Sequence, residues 1–452
     1  MVYHRGMIFR RYGTFTGGID LPDEKQATLD EPVRPCARPA VLHVPLAPCA
    51  AAAAEPTVRA GRRVRAGERI AAAPDESGVD VFAPLDGRVE GFTTVTVAAR
   101  GGFVESPAVT LVETHDPAET MPRPDDRPPT DGPFDWAAAD VGDLIERIAA
   151  GGLTTFRRRP VPLGRWVGAA RRQRCRTLIA NVMEHEPYVT ADHRALAETG
   201  PAVMEGLAVL GKAIAAESIV LAADRRRTGF YDGSIATAER LGIERVALPH
   251  KYPMGADTIL TKVLTRRETP PGRGTMSAGS AVVDAATCLA VFRWVVCGVR
   301  PLGRIVTRAG PRAEHPANLW VPFGTPCGEL AGGAEGLVVH GGPMSGLVCD
   351  ARAVVTPATC AVLAIDPPRV PLPSPCIRCG WCTDHCPARL NVSALNDAFE
   401  LSLVASARRA GALACVECGV CSYVCPARLP LAQRVKRLKR RALAAVRAGE
   451  AP

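Results

Sequence analysis

Near its C-terminus the chain writes one cysteine pattern twice, CIRCGWCTDHCPARL from Cys376 and CVECGVCSYVCPARL from Cys415. Each copy reads C-x2-C-x2-C-x3-C-P, the spacing in which three close thiolates bind one 4Fe-4S cubane and the fourth cysteine reaches across to another. The pattern predicts two clusters with crossed ligation: Cys376, Cys379, Cys382 and Cys425 for the first, and Cys415, Cys418, Cys421 and Cys386 for the second. Crossed ligation obliges both copies to fold as one unit, with the clusters close enough to exchange electrons. A four-thiolate zinc site needs only two C-x2-C pairs and would leave the rest of the pattern unused. Disulfide frameworks belong to short secreted chains. Pro387 and Pro426, directly after the remote cysteines, turn the chain away from a cluster.

With 452 residues, 47% of them hydrophobic, the chain has enough apolar material for several buried cores. Cysteines 36, 49, 175, 288, 297, 327, 349 and 360 show no ligand spacing and read as small apolar residues. MVYHRGMIFRRYG lacks the apolar segment of a signal peptide, and the longest apolar run, AVVDAATCLAVFRWVVCGV, is broken by Asp284 and Arg293. These features and the oxygen-sensitive clusters predict a cytoplasmic protein. The net charge of +9 owes much to the C-terminus, where Arg434, Lys436, Arg437, Lys439, Arg440, Arg441 and Arg447 face Glu450. Leu431, Val435, Leu438, Leu443 and Val446 interleave with them, which suits a basic helix with one apolar stripe. Such a helix either packs on the cluster module or meets an anionic membrane surface or acidic partner. Nucleic acid is excluded as a partner, because no recognition motif or aromatic interleaving accompanies the charge.

The remaining segments predict a multidomain α/β and β protein. Residues 1–115 contain V-x-x-G-x-x-V-x-x-G-x-x-I from Val58 and then VFAPLDGRVEG, turn-rich short strands. They resemble a barrel-sandwich hybrid behind an N-terminal strap; with no Lys in residues 71–110, the barrel is a scaffold and carries no biotinyl or lipoyl arm. Residues 116–134 are a Pro- and Asp-rich linker. Across 135–299, helices at DWAAADVGDLIERIAA, VMEGLAVLGKAIAA and GSIATAERLG alternate with strands at TLIANV, SIVLAA and RVALPH, arguing a doubly wound sheet. Residues 300–350 read as a small β-grasp-like (SLBB) unit, 351–430 as the α-helical dicluster ferredoxin domain, and 431–452 as the basic tail.

TFTGGIDLPDEK, EPYVTADHR, LPHKYPMGADTILTKVLTRRETP, PANLWVPFGTP, GGPMSG and the two cluster motifs occur in this order along the chain. In that order they resemble the C subunit of Rnf-type ion-translocating electron-transport complexes. The resemblance extends to the microcompartment cobalamin reductase and, through the central domain, to the NADH-binding flavoprotein subunit of respiratory complex I. It implies a peripheral subunit on the cytoplasmic face of the inner membrane, taking electrons at an FMN and passing them through two 4Fe-4S clusters to other subunits. NADH or ferredoxin is the implied electron partner.

One segment departs from that family. Where its members have a glycine-rich loop for a flavin phosphate, this chain has GGLTTFRRRPVPLGRW, with Arg157, Arg158 and Arg159 as the remaining phosphate candidates. The family's acidic stretch survives as Glu184, Glu186 and Tyr188, with His185 where a Cys is common, and Asp284 stands where an Asn would face the flavin. Glu184, His185 and Glu186 are adjacent and cannot all face one metal ion from a strand. Two readings follow: a flavin-and-cluster electron-transfer subunit, or a ferredoxin-like relay or docking module whose flavin site has degenerated. A third, a microcompartment cobalamin-reductase-like protein, differs only in its acceptor. No catalytic side chain is singled out.

Overall fold

The computed structural model describes residues 13–48, 52–99, 102–113, 129, 131–333, 336–368 and 372–448. Cys49, most of the expected linker and the extreme C-terminus lie outside the described residues.

The N-terminal β region comprises two small antiparallel sheets. In one, the long hairpin Gly87–Ala99 with Gly102–Glu113 is flanked by Val41–Pro45 and Arg63–Val64; in the other, Arg69–Ala72 lies between Glu55–Pro56 and Val81–Phe82. The V-x-x-G repeats become turns whose glycine N–H groups close onto neighbouring strands, Gly61 to the Val89 carbonyl at 2.8 Å and Gly67 to the Ala83 carbonyl at 2.9 Å. Val64, Ile70, Ala83 and Val89, in register with those turns, are buried.

The central domain is a four-stranded, all-parallel sheet in the order Ile243–Leu248, Ser218–Asp224, Thr177–Val182, Ser280–Val283. Helices cover both faces, so the strands carry apolar runs without alternation. The first strand, Thr177–Val182, lies inside the sheet, and the order in which strands are added reverses beside it. That makes the carboxyl ends of Thr177–Val182 and Ser280–Val283 a switch point where ligand crevices open. The helix expected over 135–150 starts only at Val141, because Asp140 accepts the Gly142 N–H at 2.7 Å and caps it there.

Two expected boundaries shift. The β unit forms a six-stranded sheet in the order Arg34–Pro35, Ala317–Pro322, Gly303–Ala309, Ala361–Ile365, Leu337–His340, Leu347–Val348. Strand Ala361–Ile365 therefore lies beyond the boundary drawn at 350, and an edge strand comes from the N-terminal strap. AVLAI is buried on both sides and reads as a bare apolar run, which names no partner until the sheet assembles. The sheet also shares a core with the barrel, with Val44, Val89 and Leu111 packed in one cluster with Val321, Val355 and Val362.

The boundary at 430 dissolves in the same way. Helix Leu431–Arg447 buries Leu431, Val435 and Leu438 against Leu395 and Ala407 of the neighbouring helices Val392–Glu400 and Val404–Arg409. Its apolar stripe is the lid of the cysteine module, leaving Arg437, Arg440 and Arg441 on the exposed face. No helix among the described residues is long and apolar enough to cross a membrane.

Candidate electron-transfer site

Both cysteine motifs adopt one local plan. Arg378 and Glu417 take left-handed backbone at matching positions, as do Gly380 and Gly419, and Arg389 and Arg428. Short helices, Trp381–Asp384 and Val420–Tyr423, follow the second cysteine in each copy. Cys376, Cys379, Cys382 and Cys425 line one small cavity; Cys386, Cys415, Cys418 and Cys421 line another. Four cysteines at each cavity match the four irons of a cubane, each of which needs one sulfur.

Burial pushes the Cys418 thiol up to about 12 and raises Cys386, Cys415 and Cys421 as well. Without a metal these thiols stay protonated at neutral pH, so binding iron releases protons. The Cys386 sulfur already accepts the Leu390 N–H and the Cys415 sulfur the Glu417 N–H, both at 3.4 Å. Of the remaining cysteines, Cys36, Cys175, Cys288 and Cys327 are buried, whereas Cys297, Cys349 and Cys360 are partly exposed.

Three separate parts of the chain hold the second, inner quartet. From the N-terminal strap, the Gly18 N–H donates to the His385 carbonyl at 2.9 Å, and a Cβ at Gly17 would lie 2.8 Å from the Cys386 carbonyl oxygen. Both glycines have positive φ, 75° and 78°, so the TGG of the strap answers a conformational need and a close approach together. From the central domain, the Tyr252 hydroxyl donates to the Cys418 carbonyl at 2.6 Å. From the β unit, the Met344 carbonyl lies 3.1 Å from where a Cβ at Gly419 would be.

A cleft of about 1170 Å³ separates the central domain from this quartet. Arg157, Arg158, Arg159, His185, Glu186 and Asp257 line one side, and Cys415, Glu417, Cys418 and Lys439 the other. Behind it lies a smaller space of about 190 Å³, bounded by Asn181, Glu184, Asp192 and Asp284 at the switch point of the sheet.

The expected acidic residues serve local structure. Glu184 accepts the N–H groups of Asp192 and His193, both at 2.8 Å, capping the helix Ala191–Ile214, while its carbonyl receives Lys25 at 2.5 Å. Glu186 accepts the Met344 N–H at 3.0 Å, the Ser345 N–H at 3.2 Å and the Ser345 hydroxyl, tying down the GGPMSG loop. His185, between them, accepts the Gly255 N–H on Nδ1 at 2.5 Å, and burial pushes its pKa down to about 3. Tyr188 borders neither cavity; it packs with Val189, Ala309 and Val339.

The arginine segment folds back as a hairpin. The Leu163 N–H bonds the Leu153 carbonyl at 2.8 Å, the Thr155 N–H bonds the Val161 carbonyl at 2.9 Å, and the Val161 N–H bonds the Thr155 hydroxyl at 3.1 Å. Pro160 and Pro162 have no N–H to offer. Gly151 fits tightly against Trp294 within the central domain, and Gly152 against Phe82 of the N-terminal β region. The Thr155, Phe156, Val161 and Leu163 amides are therefore spent within the fold, and Pro160 and Pro162 offer none. Behind the hairpin, burial and the neighbouring Asp284 carboxylate raise the Asp192 pKa well above its ordinary value. This is a poor setting for a phosphate or an isoalloxazine edge. The hairpin is a poor fit for an FMN phosphate. What sequence inspection missed were Asn181, Asp192, Asp257 and Tyr252, of which Asp192, Tyr252 and Asp257 lay inside quoted family motifs without an assigned role.

Comparison with known proteins locates the same three parts. The RnfC barrel sandwich hybrid domain matches residues 13–115, the Nuo51 FMN-binding domain residues 161–293, and a 4Fe-4S dicluster domain residues 370–438. The flavin-domain match starts past the three arginines. The C subunit of the ion-translocating oxidoreductase complex of Rhodobacter capsulatus is 30% identical over 391 residues, covering 84% of this chain and 74% of that protein. Its Edwardsiella ictaluri counterpart is 30% identical over 396 residues, covering 84% of this chain and 48% of its own length. The chain thus spans about half the length of that relative. The C subunit of the proton-translocating ferredoxin:NAD(+) oxidoreductase complex of Clostridium ljungdahlii is 26% identical, with 85% and 84% covered.

Proposed function

Since the chain belongs to the family of C subunits of Rnf-type ion-translocating oxidoreductase complexes, we propose that it is the peripheral subunit relaying electrons between a donor at the cleft and partner subunits, through two 4Fe-4S clusters. Cys386, Cys415, Cys418 and Cys421 hold the inner cluster, and Cys376, Cys379, Cys382 and Cys425 the outer one. The observation that carries this reading is the unequal setting of the quartets. The inner borders the large cleft, whereas Cys376 and Cys379 are exposed beside Ile377 and Trp381, which are 65% and 53% accessible. Each cluster supplies one-electron chemistry; the protein supplies position, exclusion of water and local charge.

The hairpin favours the flavin-independent version of this role, a relay whose electrons enter at the inner cluster. The exposed basic face of the C-terminal helix, carrying Arg437, Arg440 and Arg441, suits an acidic subunit or anionic lipid at the cytoplasmic face of the inner membrane. Anaerobic reconstitution followed by iron, sulfide and acid-released flavin analysis tests the proposal. About eight iron atoms per chain with two reducible centres are expected; four or fewer in the intact protein would rule out the two-cluster relay.

A further inference from the structure

The segment that displaces the flavin cradle reaches the inner quartet. From its tip, Arg159 Nη2 bonds the Glu417 carboxylate at 3.1 Å, and Glu417 stands between the ligand positions Cys415 and Cys418. Lys439 holds the other carboxylate oxygen at 3.0 Å while donating to the Cys415 carbonyl at 2.6 Å. The hairpin's base is fixed. The Phe156 N–H bonds the Thr287 hydroxyl at 2.7 Å, its carbonyl accepts from buried Arg304 at 2.9 Å, and Arg157 pairs with Asp257. Arg158, exposed in the cleft, makes no hydrogen bond or ion pair among the described residues. Lys436 adds another cation nearby; its pKa is lowered by burial and then by Arg158.

The charges around the inner quartet do not cancel. Glu417 contributes one negative charge, against which stand Arg159 and Lys439 in contact and Arg158 and Lys436 close by. A 4Fe-4S centre with four thiolates is anionic and becomes more so on reduction, so surrounding cations stabilise the reduced form. Around the outer quartet the ion pairs among the described residues are Arg378 with Asp397 at 3.4 Å and, beside Asn396 on the cavity wall, Arg434 with Glu400 at 2.6 Å, each internally balanced.

We propose that the arginine hairpin of residues 154–162 is an electrostatic brace for the inner cluster. It raises that cluster's reduction potential relative to the outer one and fixes the Glu417 loop. In place of a flavin phosphate it holds a carboxylate belonging to the chain itself. The proposal rests on the crossed ligation above, because it needs Cys415 and Cys418 to belong to the inner cluster. Arg159 and Arg158 act through the cluster's surroundings and are positioning residues.

The test is an anaerobic redox titration of the full reconstituted chain, followed by electron paramagnetic resonance, on the wild type, R158Q/R159Q, R159K and E417Q. In R158Q/R159Q one of the two midpoint potentials should fall and the other stay. The expected change is about threefold to tenfold in the reduction equilibrium, about 30 to 59 mV for one electron. The difference from wild type should shrink as salt rises and the Debye length shortens. R159K should restore most of the wild-type value, and E417Q should shift the same potential upward. Unchanged potentials, or both shifting equally, would overturn the brace. Should R158Q/R159Q lose iron, E417Q decides the matter: an upward shift of one potential alone upholds the brace, and no shift or an equal shift of both overturns it. The ligation reading fails separately, by wild-type protein holding fewer than about eight iron atoms.

Discussion

The two cysteine quartets share a spacing, a backbone plan and a helix turn, yet one is enclosed and the other is not. Strap, central domain and β unit all press on the inner copy, through Gly18, Tyr252 and Met344. The outer copy exposes Cys376 and Cys379 beside Trp381, which has no such cover. A duplicated motif thus makes two cysteine quartets of one plan, and their neighbours make them different. Environment, more than ligand identity, separates clusters of one type in potential and access.

The strongest challenge to this comparison is ligand removal. Cys415→Ala and Cys376→Ala should each remove one cluster and destabilise the other, since each motif lends its fourth cysteine across. Mutants that retain about eight iron atoms per chain by anaerobic analysis would refute crossed ligation. Conversion to a three-iron form would leave it intact. Cys415→Ala should also loosen packing between domains, lowering the melting temperature further than Cys376→Ala does.

Gly17→Ala is the next sharpest probe. A Cβ there meets the Cys386 backbone and sits at positive φ, so about 1–3 kcal/mol of strain is expected. A chelator should then strip iron faster from the inner site than from the outer. Equal stripping rates would mean that the strap does not seat Cys386.

The flavin question sets the cleft against the cluster module. With part of its amides bonded in the hairpin and two replaced by prolines, the purified chain should release no stoichiometric FMN on acid denaturation. NADH should not bleach the clusters at a useful rate. One FMN per chain would show that Arg157, Arg158 and Arg159 hold the phosphate, and those residues would be the first to mutate.

A smaller effect separates the cleft wall from its surface. His185 is held neutral in the fold, its pKa lowered by burial to about 3 from 6.5. Between those values the unfolded chain binds the extra proton, so His185 lets stability rise with pH across that window and fades as pH falls through it. His185→Gln should flatten that slope in pH-dependent denaturation, and an unaltered slope would point to His193 instead, which is similarly depressed. Least of all, Trp381→Ala on the outer rim should change stability by no more than about 0.5 kcal/mol. Tyr252→Phe, which leaves the Cys418 carbonyl without its donor, should cost about 1 kcal/mol or more.

Much of this was legible in the chain. The cysteine spacing predicted the two quartets that line the two small cavities, because cubane ligation is a local geometry that repeats wherever C-x2-C-x2-C-x3-C-P recurs. The V-x-x-G repeats marked turns, and the strands TLIANV, SIVLAA and RVALPH carried their own apolar runs. The replaced glycine loop was visible as FRRRPVP, and its cost to a phosphate cradle followed from side-chain bulk and missing N–H groups. Other features depended on partners distant in sequence. AVLAI joins a sheet only when Gly303–Ala309 and Leu337–His340 flank it. The C-terminal helix spends its apolar stripe on helices that precede it, so a pattern compatible with a membrane surface became part of a core. Glu184 and Glu186 looked like ligand groups because composition cannot say which backbone N–H groups will stand opposite a carboxylate. Most of all, Arg159 and Glu417 lie 258 positions apart. Nothing local relates them; only closing the cleft brings a hairpin that resembles a failed flavin loop into contact with the loop of an iron–sulfur cluster.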